Sequence, residues 1–168
     1  DLLESRGLGD VYKRQPLAET VSQISHVCHN NDVQNNSDEI ERSKNMSDVF
    51  CINLGYVVAA DEADKVEAVF RKHAAWMTDF YSEENDGPAH LITAHFTKAP
   101  EFKDPANPDE GLTGNIVFTI NEKFTSMESI QRHVGNASEN DYFQQFYEIL
   151  GQYGKVISVG GEVFYSIR

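Results

Sequence analysis

The sequence predicts an α+β domain: one antiparallel four-stranded sheet with its helices on a single face. Three observations in residues 46–168 predict it. An alternating apolar run follows Met46, the period switches to helical from Asp61, and the remainder reads as two strands, a split helix and a closing strand.

The first strand is "VFCINLGYVV", with Phe50, Ile52, Leu54, Tyr56 and Val58 on one face and Cys51, Asn53, Gly55 and Val57 on the other. From Asp61, "DEADKVEAVFRKHAAWMTDFY" spaces Val66, Val69, Phe70, His73, Met77 and Phe80 as one stripe of a helix. Acidic residues crowd its first turn, where the helix dipole favours them. The polar loop "SEENDGPA" ends it. "HLITAHFTKA" (90–99) is the second strand, with Leu91, Thr93, His95 and Thr97 on one face and Ile92, Ala94 and Phe96 on the other. Residues 100–114 hold three prolines and two glycines, which cannot continue a central ladder, and read as a long loop: a lid, a dimer clasp or an insertion. "NIVFTINEKF" (115–124) is the third strand, with Ile116, Phe118 and Ile120 on one face. Thr125 with Glu128 three residues on predicts a capping box, and Gly135 a helix stop. "DYFQQFYEILGQYG" repeats Phe143, Phe146 and Leu150 at helical spacing, and "KVISVGGEVFYSI" closes the chain as a strand bulged at Gly160 and Gly161.

The order strand, helix, strand, strand, split helix, strand is the ferredoxin-like β-α-β-β-α-β arrangement. Its second sheet face is not purely polar, since Val57, Val117 and Val159 are expected there, so sheet-to-sheet pairing of two copies is the expected cover.

Residues 1–15 are set apart from this domain. "SRGLGDVYKRQ" has two glycines and three basic residues, yet no strand precedes Gly7 and Gly9 and the rest of the chain is acidic, which disfavours a phosphate loop or a nucleic-acid arm. Written as codons, Ser5–Gln15 resembles the tagmentation adapter of short-read sequencing libraries over its whole length, so residues 1–15 are read as a translated adapter from a shotgun or metagenomic assembly. Residues 16–45, rich in Asn, Ser, Asp and Gln, are expected to be disordered or untranslated. The codons possible for "ERSKN" resemble a ribosome-binding site, and Met46 is the expected start.

The domain 46–168 carries 19 acidic and 9 basic residues, a net charge of −10, which disfavours nucleic acid and anionic membrane as partners. Cys51 is its only cysteine, so no internal disulfide can form, and its neighbours suggest a buried thiol. No run approaches a membrane span, and a cytoplasmic location is expected.

The element order, "HAAWM" in the first helix and "SIQRHVGNASENDYFQQF" across the second helical region resemble the dimeric α/β-barrel superfamily, near its antibiotic-biosynthesis-monooxygenase branch. The resemblance covers residues 46–168. It implies a homodimer with a small-molecule pocket between sheet and helices, and a cofactor-independent monooxygenase acting on an apolar or aromatic substrate. A non-catalytic dimeric ligand-binding or stress-associated protein is the alternative.

His73 lies inside the apolar stripe, as a general base near neutral pH or as a core histidine. Trp76, one turn along, is a flat wall for an aromatic substrate or a core filler, and Phe80 joins it as a substrate-facing residue. His133 is a second catalytic candidate, promoted by the resemblance against a role as helix C-terminal cap. His95 is expected to face the dimer interior, and Asn53, Tyr56 and Tyr165 are hydrogen-bonding candidates for a phenol or enolate. Among the four histidines of the domain no i, i+4 pair and no clustered carboxylate is evident, so neither a metal nor another cofactor is expected. Nucleophile-elbow and paired-carboxylate signatures are also missing.

Overall fold

The computed structural model describes residues 49–85 and 87–166. The expectations for residues 1–15, for 16–45 and for a start at Met46 lie outside the described residues. Within them the chain is an α+β fold: β1 (Phe50–Ala59), α1 (Ala63–Phe80), β2 (Leu91–Phe102), β3 (Leu112–Phe124), α2 (Met127–Ala137), α3 (Phe143–Tyr153) and β4 (Gly154–Glu162). Three short 3₁₀ turns interrupt the connections. The strands form one antiparallel sheet in the order β2-β3-β1-β4, an arrangement compatible with the expected β-α-β-β-α-β order.

Strand alternation sets the two faces. Ile52, Leu54, Tyr56 and Val58 of β1 and Phe118, Ile120 and Phe124 of β3 are buried with Val66, Val69 and Phe70 of α1, Ile130 of α2 and Phe146 of α3. The stripe in α1 recurs at i, i+3, i+4, i+7 and i+11 (Val66, Val69, Phe70, His73 and Met77), so one side of the helix lies over the sheet. The flank of the helix toward β2 carries Glu67, ion-paired to Arg71 at 2.5 Å and to Lys98 of β2.

Several local expectations change. The β2–β3 loop is shorter than 100–114, because β2 continues through Pro100 to Phe102 and β3 begins at Leu112. Pro100 is tolerated because β2 is an edge strand, where a missing N–H costs the ladder nothing, and the pairing shifts between Pro100 and Phe102. A second irregularity at Ile92 moves Leu91 to the helix side opposite Phe124, while His95 and Thr97 pair with Asn121 and Thr119 on the open face. In β4 the bulge falls at Gly160, whose φ of 79° suits glycine, and a Cβ there would come within 2.8 Å of Met127 Cε. That bulge changes the phase of the strand: Val159 pairs with Ile52 and packs on the core, and Val156 takes the open-face place opposite Gly55.

The start of α2 is capped differently from expectation. Ser126 Oγ accepts the Ser129 N–H at 3.1 Å, while Thr125 donates its hydroxyl to the Ala89 carbonyl at 2.7 Å. Gly135 does not stop the helix, which runs two residues further and is closed by Asn140 Nδ2 donating to the carbonyls of Asn136 and Ala137. That short link brings Tyr142, at the start of α3, back over the core with 4 % of its surface exposed. Cys51 is half-buried and lies opposite Lys123 on the open face, so it is not the core thiol expected; its partial burial raises the thiol pKa.

Candidate functional site

Three side chains from three elements meet beneath the helices. β3 alternates Phe118, Ile120, Glu122, Phe124 toward the core, so Glu122 takes an apolar position and is 2 % exposed. The α1 stripe delivers His73 and α2 delivers His133, each 4 % exposed. His73 Nε2 lies 3.4 Å from Glu122 Oε1, and His133 Nε2 lies 3.5 Å from Oε2. One ligand-capable atom from each residue lies within 4.8 Å of the other two.

The outer nitrogens are held as well. His73 Nδ1 and the Tyr142 hydroxyl share a hydrogen bond of 3.0 Å; His133 Nδ1 and the Tyr81 hydroxyl share one of 3.1 Å. Tyr81 sits at the end of α1 and Tyr142 at the start of α3, so each histidine is oriented by a helix other than its own. With Nδ1 occupied on both rings, both Nε2 atoms are directed at the carboxylate. Glu122 Oε2 and Tyr56 Oη are buried without a hydrogen-bond partner among the described residues.

Burial governs the protonation states. It pushes His133 down to about 4, against the attraction of Glu122 and assisted by the neighbouring His73, so His133 is neutral at neutral pH. Burial, reinforced by the Glu122 charge, raises Tyr56, Tyr81 and Tyr142 well above the ordinary tyrosine range, so all three keep their protons.

Aromatic rings close around the centre. His73 stacks on Trp76 with centroids 5.4 Å apart and tilts against Phe146 at 4.9 Å, with Phe96 at 6.0 Å. Phe80 stacks on Trp76 at 4.9 Å, and the Arg132 guanidinium covers Phe80 at 4.6 Å. A column of planar groups therefore runs from Arg132 through Phe80 and Trp76 to His73.

The structure thus joins His73, His133, Trp76 and Phe80, and places Tyr56 on the same sheet face. It separates the others. Asn53 and His95 are on the open face, because strand alternation puts them opposite Ser158 and Asn121. Tyr165, 75 % exposed beyond β4, takes no part in the centre. His133 is not a helix-end cap, since α2 continues past it to Ala137. The absence of a clustered carboxylate is overturned by Glu122, which the strand's own period signals: a charge in phase with Phe118, Ile120 and Phe124 must be buried with partners. Tyr81 and Tyr142 carried no comparable signal, because their contacts span 52 and 69 residues of sequence.

A separate groove of about 210 Å³ runs between α1 and β2, floored by Phe70, Phe96 and Phe118 and edged by Glu67, Arg71 and Lys98. Its lining does not include His73 or Trp76. No helix among the described residues is long and apolar enough to cross a membrane. Comparison with protein-family models, curated proteins and solved structures gave no match for the chain.

Proposed function

We propose that the chain is a homodimeric small-molecule enzyme of the dimeric α/β-barrel type, with His73, Glu122 and His133 as its reaction centre and an apolar or aromatic molecule as its substrate. One observation carries this reading: a carboxylate buried between two buried histidines. Burying an ionised carboxylate costs several kcal/mol unless its environment compensates, so such a group is retained where it does chemistry or binds a charge. In this reading the centre accepts a proton from an acidic C–H or O–H of the substrate, Trp76 and Phe80 offer flat apolar surface, and molecular oxygen adds to the resulting carbanion.

Pairing of two copies through the open sheet face accompanies this proposal. That face carries Val57, Val117, Ala99 and the exposed Val156 among Thr97, Thr119, Asn53 and Asn121, with no helix over it among the described residues. The second reading, a non-catalytic ligand-binding protein, is favoured by the groove between α1 and β2, which offers apolar surface away from the centre.

A thermal-shift screen with phenols, quinols and haem, followed by oxygen uptake with each stabilising compound, separates the two. The expected result is a phenol or quinol that raises the melting temperature and is consumed with oxygen, with uptake lost in His73→Ala. Stabilisation without oxygen uptake supports the second reading. Light scattering at micromolar concentration should return a dimer; a monomer removes the sheet-to-sheet pairing.

A further inference from the structure

We infer that His73, Glu122 and His133 form a mononuclear binding site for a divalent first-row transition cation, held by the two Nε2 atoms and the Glu122 carboxylate. The inference rests on the reading that these residues are the working centre, and departs from the cofactor-independent chemistry implied by the sequence resemblance.

Spacing is the first argument. His73 Nε2 lies 3.4 Å from Glu122 Oε1 and His133 Nε2 lies 3.5 Å from Oε2, so the two carboxylate oxygens each face one imidazole, and one ligand atom from each residue lies within 4.8 Å of the other two, close enough for a single cation with bonds of about 2.0–2.2 Å to gather all three. Orientation is the second. A ligating histidine needs its other ring nitrogen fixed by a hydrogen bond, which sets the tautomer and aims the lone pair. Both histidines have a hydroxyl within reach, His73 Nδ1 that of Tyr142 and His133 Nδ1 that of Tyr81, and in the tautomer whose Nδ1–H donates to that oxygen the Nε2 lone pairs face the carboxylate. Satisfaction is the third. Glu122 Oε2 is fully buried and makes no hydrogen bond among the described residues, and a cation between carboxylate and imidazoles would supply its missing partner.

The donor set selects the class of ion. Two imidazoles and one carboxylate suit Zn²⁺, Fe²⁺, Co²⁺ or Ni²⁺; Ca²⁺ and Mg²⁺ favour all-oxygen shells of six or more, and Cu⁺ favours sulfur. Three ligands from α1, β3 and α2 leave coordination positions for water or substrate, the condition for a catalytic rather than a purely structural site. With the cation bound, both Nε2 atoms are ligands, and the proton acceptor becomes a cation-bound hydroxide in place of His73.

The test uses the full chain, stripped with a chelator, dialysed and titrated with Co²⁺ alone. The expected result is one equivalent per chain with visible d–d absorption of a four- or five-coordinate ion. Zn²⁺ should displace it and raise the melting temperature. Glu122→Gln should weaken Co²⁺ binding by 10-fold or more, and Tyr81→Phe and Tyr142→Phe by about 10–100-fold each. Residues His26, Cys28 and His29 are also metal-binding types, so stoichiometric Co²⁺ binding that persists unchanged in Glu122→Gln overturns the site. Should that variant fail to fold, proton NMR of the Co²⁺-loaded native protein decides. Two strongly shifted, exchangeable signals are expected from the two Nδ1–H groups, and their absence overturns the inference. Oxygen uptake that continues in chelator, with no cobalt spectrum, removes the cation and leaves the proposed enzyme. A cobalt spectrum at this site with no turnover of any substrate leaves the cation and removes the enzyme.

Discussion

Neighbouring residues of β3 live in two different solvents. Phe118, Ile120, Glu122 and Phe124 face the helices and are at most 3 % exposed, whereas Val117, Thr119, Asn121 and Lys123 face away and are only half-buried. On the outer face polar groups are satisfied cheaply: Thr97 and Thr119 share a hydrogen bond of 2.7 Å, Asn121 donates to Thr119 at 2.9 Å, and water can reach the rest. On the inner face the single charge of Glu122 needs two histidines, and these need two tyrosines. The difference teaches that a polar group under the helices requires a built shell of partners.

The largest effect should come from cutting the inner face where it is purely apolar. Ile120→Ala should cost about 2–5 kcal/mol in urea unfolding, whereas Thr119→Ala, its neighbour, should cost about 1 kcal/mol or less. The contrast is read below the concentration at which two copies pair; equal costs there would break it and mean that the outer face is buried within a single chain.

Next comes acid. His133 is held near 4 in the fold against an ordinary value of 6.5. Between those pH values the unfolded chain binds a proton that the folded chain refuses, so acidification favours unfolding. In chelator-treated protein the contribution is fully present above pH 6.5 and is lost as pH falls toward 4, by about 3 kcal/mol. The difference in urea midpoints between wild type and His133→Asn across that window measures it; parallel pH profiles would show that the inner face does not exclude the charge.

The smallest effect concerns single hydrogen bonds on the two faces. Tyr142→Phe leaves His73 Nδ1 without its buried partner and should cost about 1–3 kcal/mol, whereas Thr97→Val on the open face should stay within about 0.5–1 kcal/mol. A Tyr142→Phe protein as stable as wild type would indicate that water replaces the hydroxyl, and that the centre is wetter than its burial implies.

Much of this was legible in the sequence because it is local. Alternation in residues 50–58 and 116–120 gave both faces of the central strands, and the stripe Val66–Val69–Phe70–His73–Met77 gave the buried side of α1. His73 and Trp76 were singled out because they lie on or beside that stripe. Two of the misreadings share one cause. A bulge displaces the period by one residue, so Leu91 and Val159 sit on the face opposite to the one an unbroken alternation assigns.

What the sequence determined alone is the faces of the central strands, the buried stripe of α1 and the place of His73 on it, because periodicity is a property of neighbouring residues. Tertiary structure alone decided that Glu122 stands between those histidines and that Tyr81 and Tyr142 hold them. Those contacts join residues 52 and 69 positions apart, and only the packing of three helices on one sheet brings them within hydrogen-bond range. The expense of burying a charge then makes the partners obligatory, and among the described residues Glu122 is the buried carboxylate that has them.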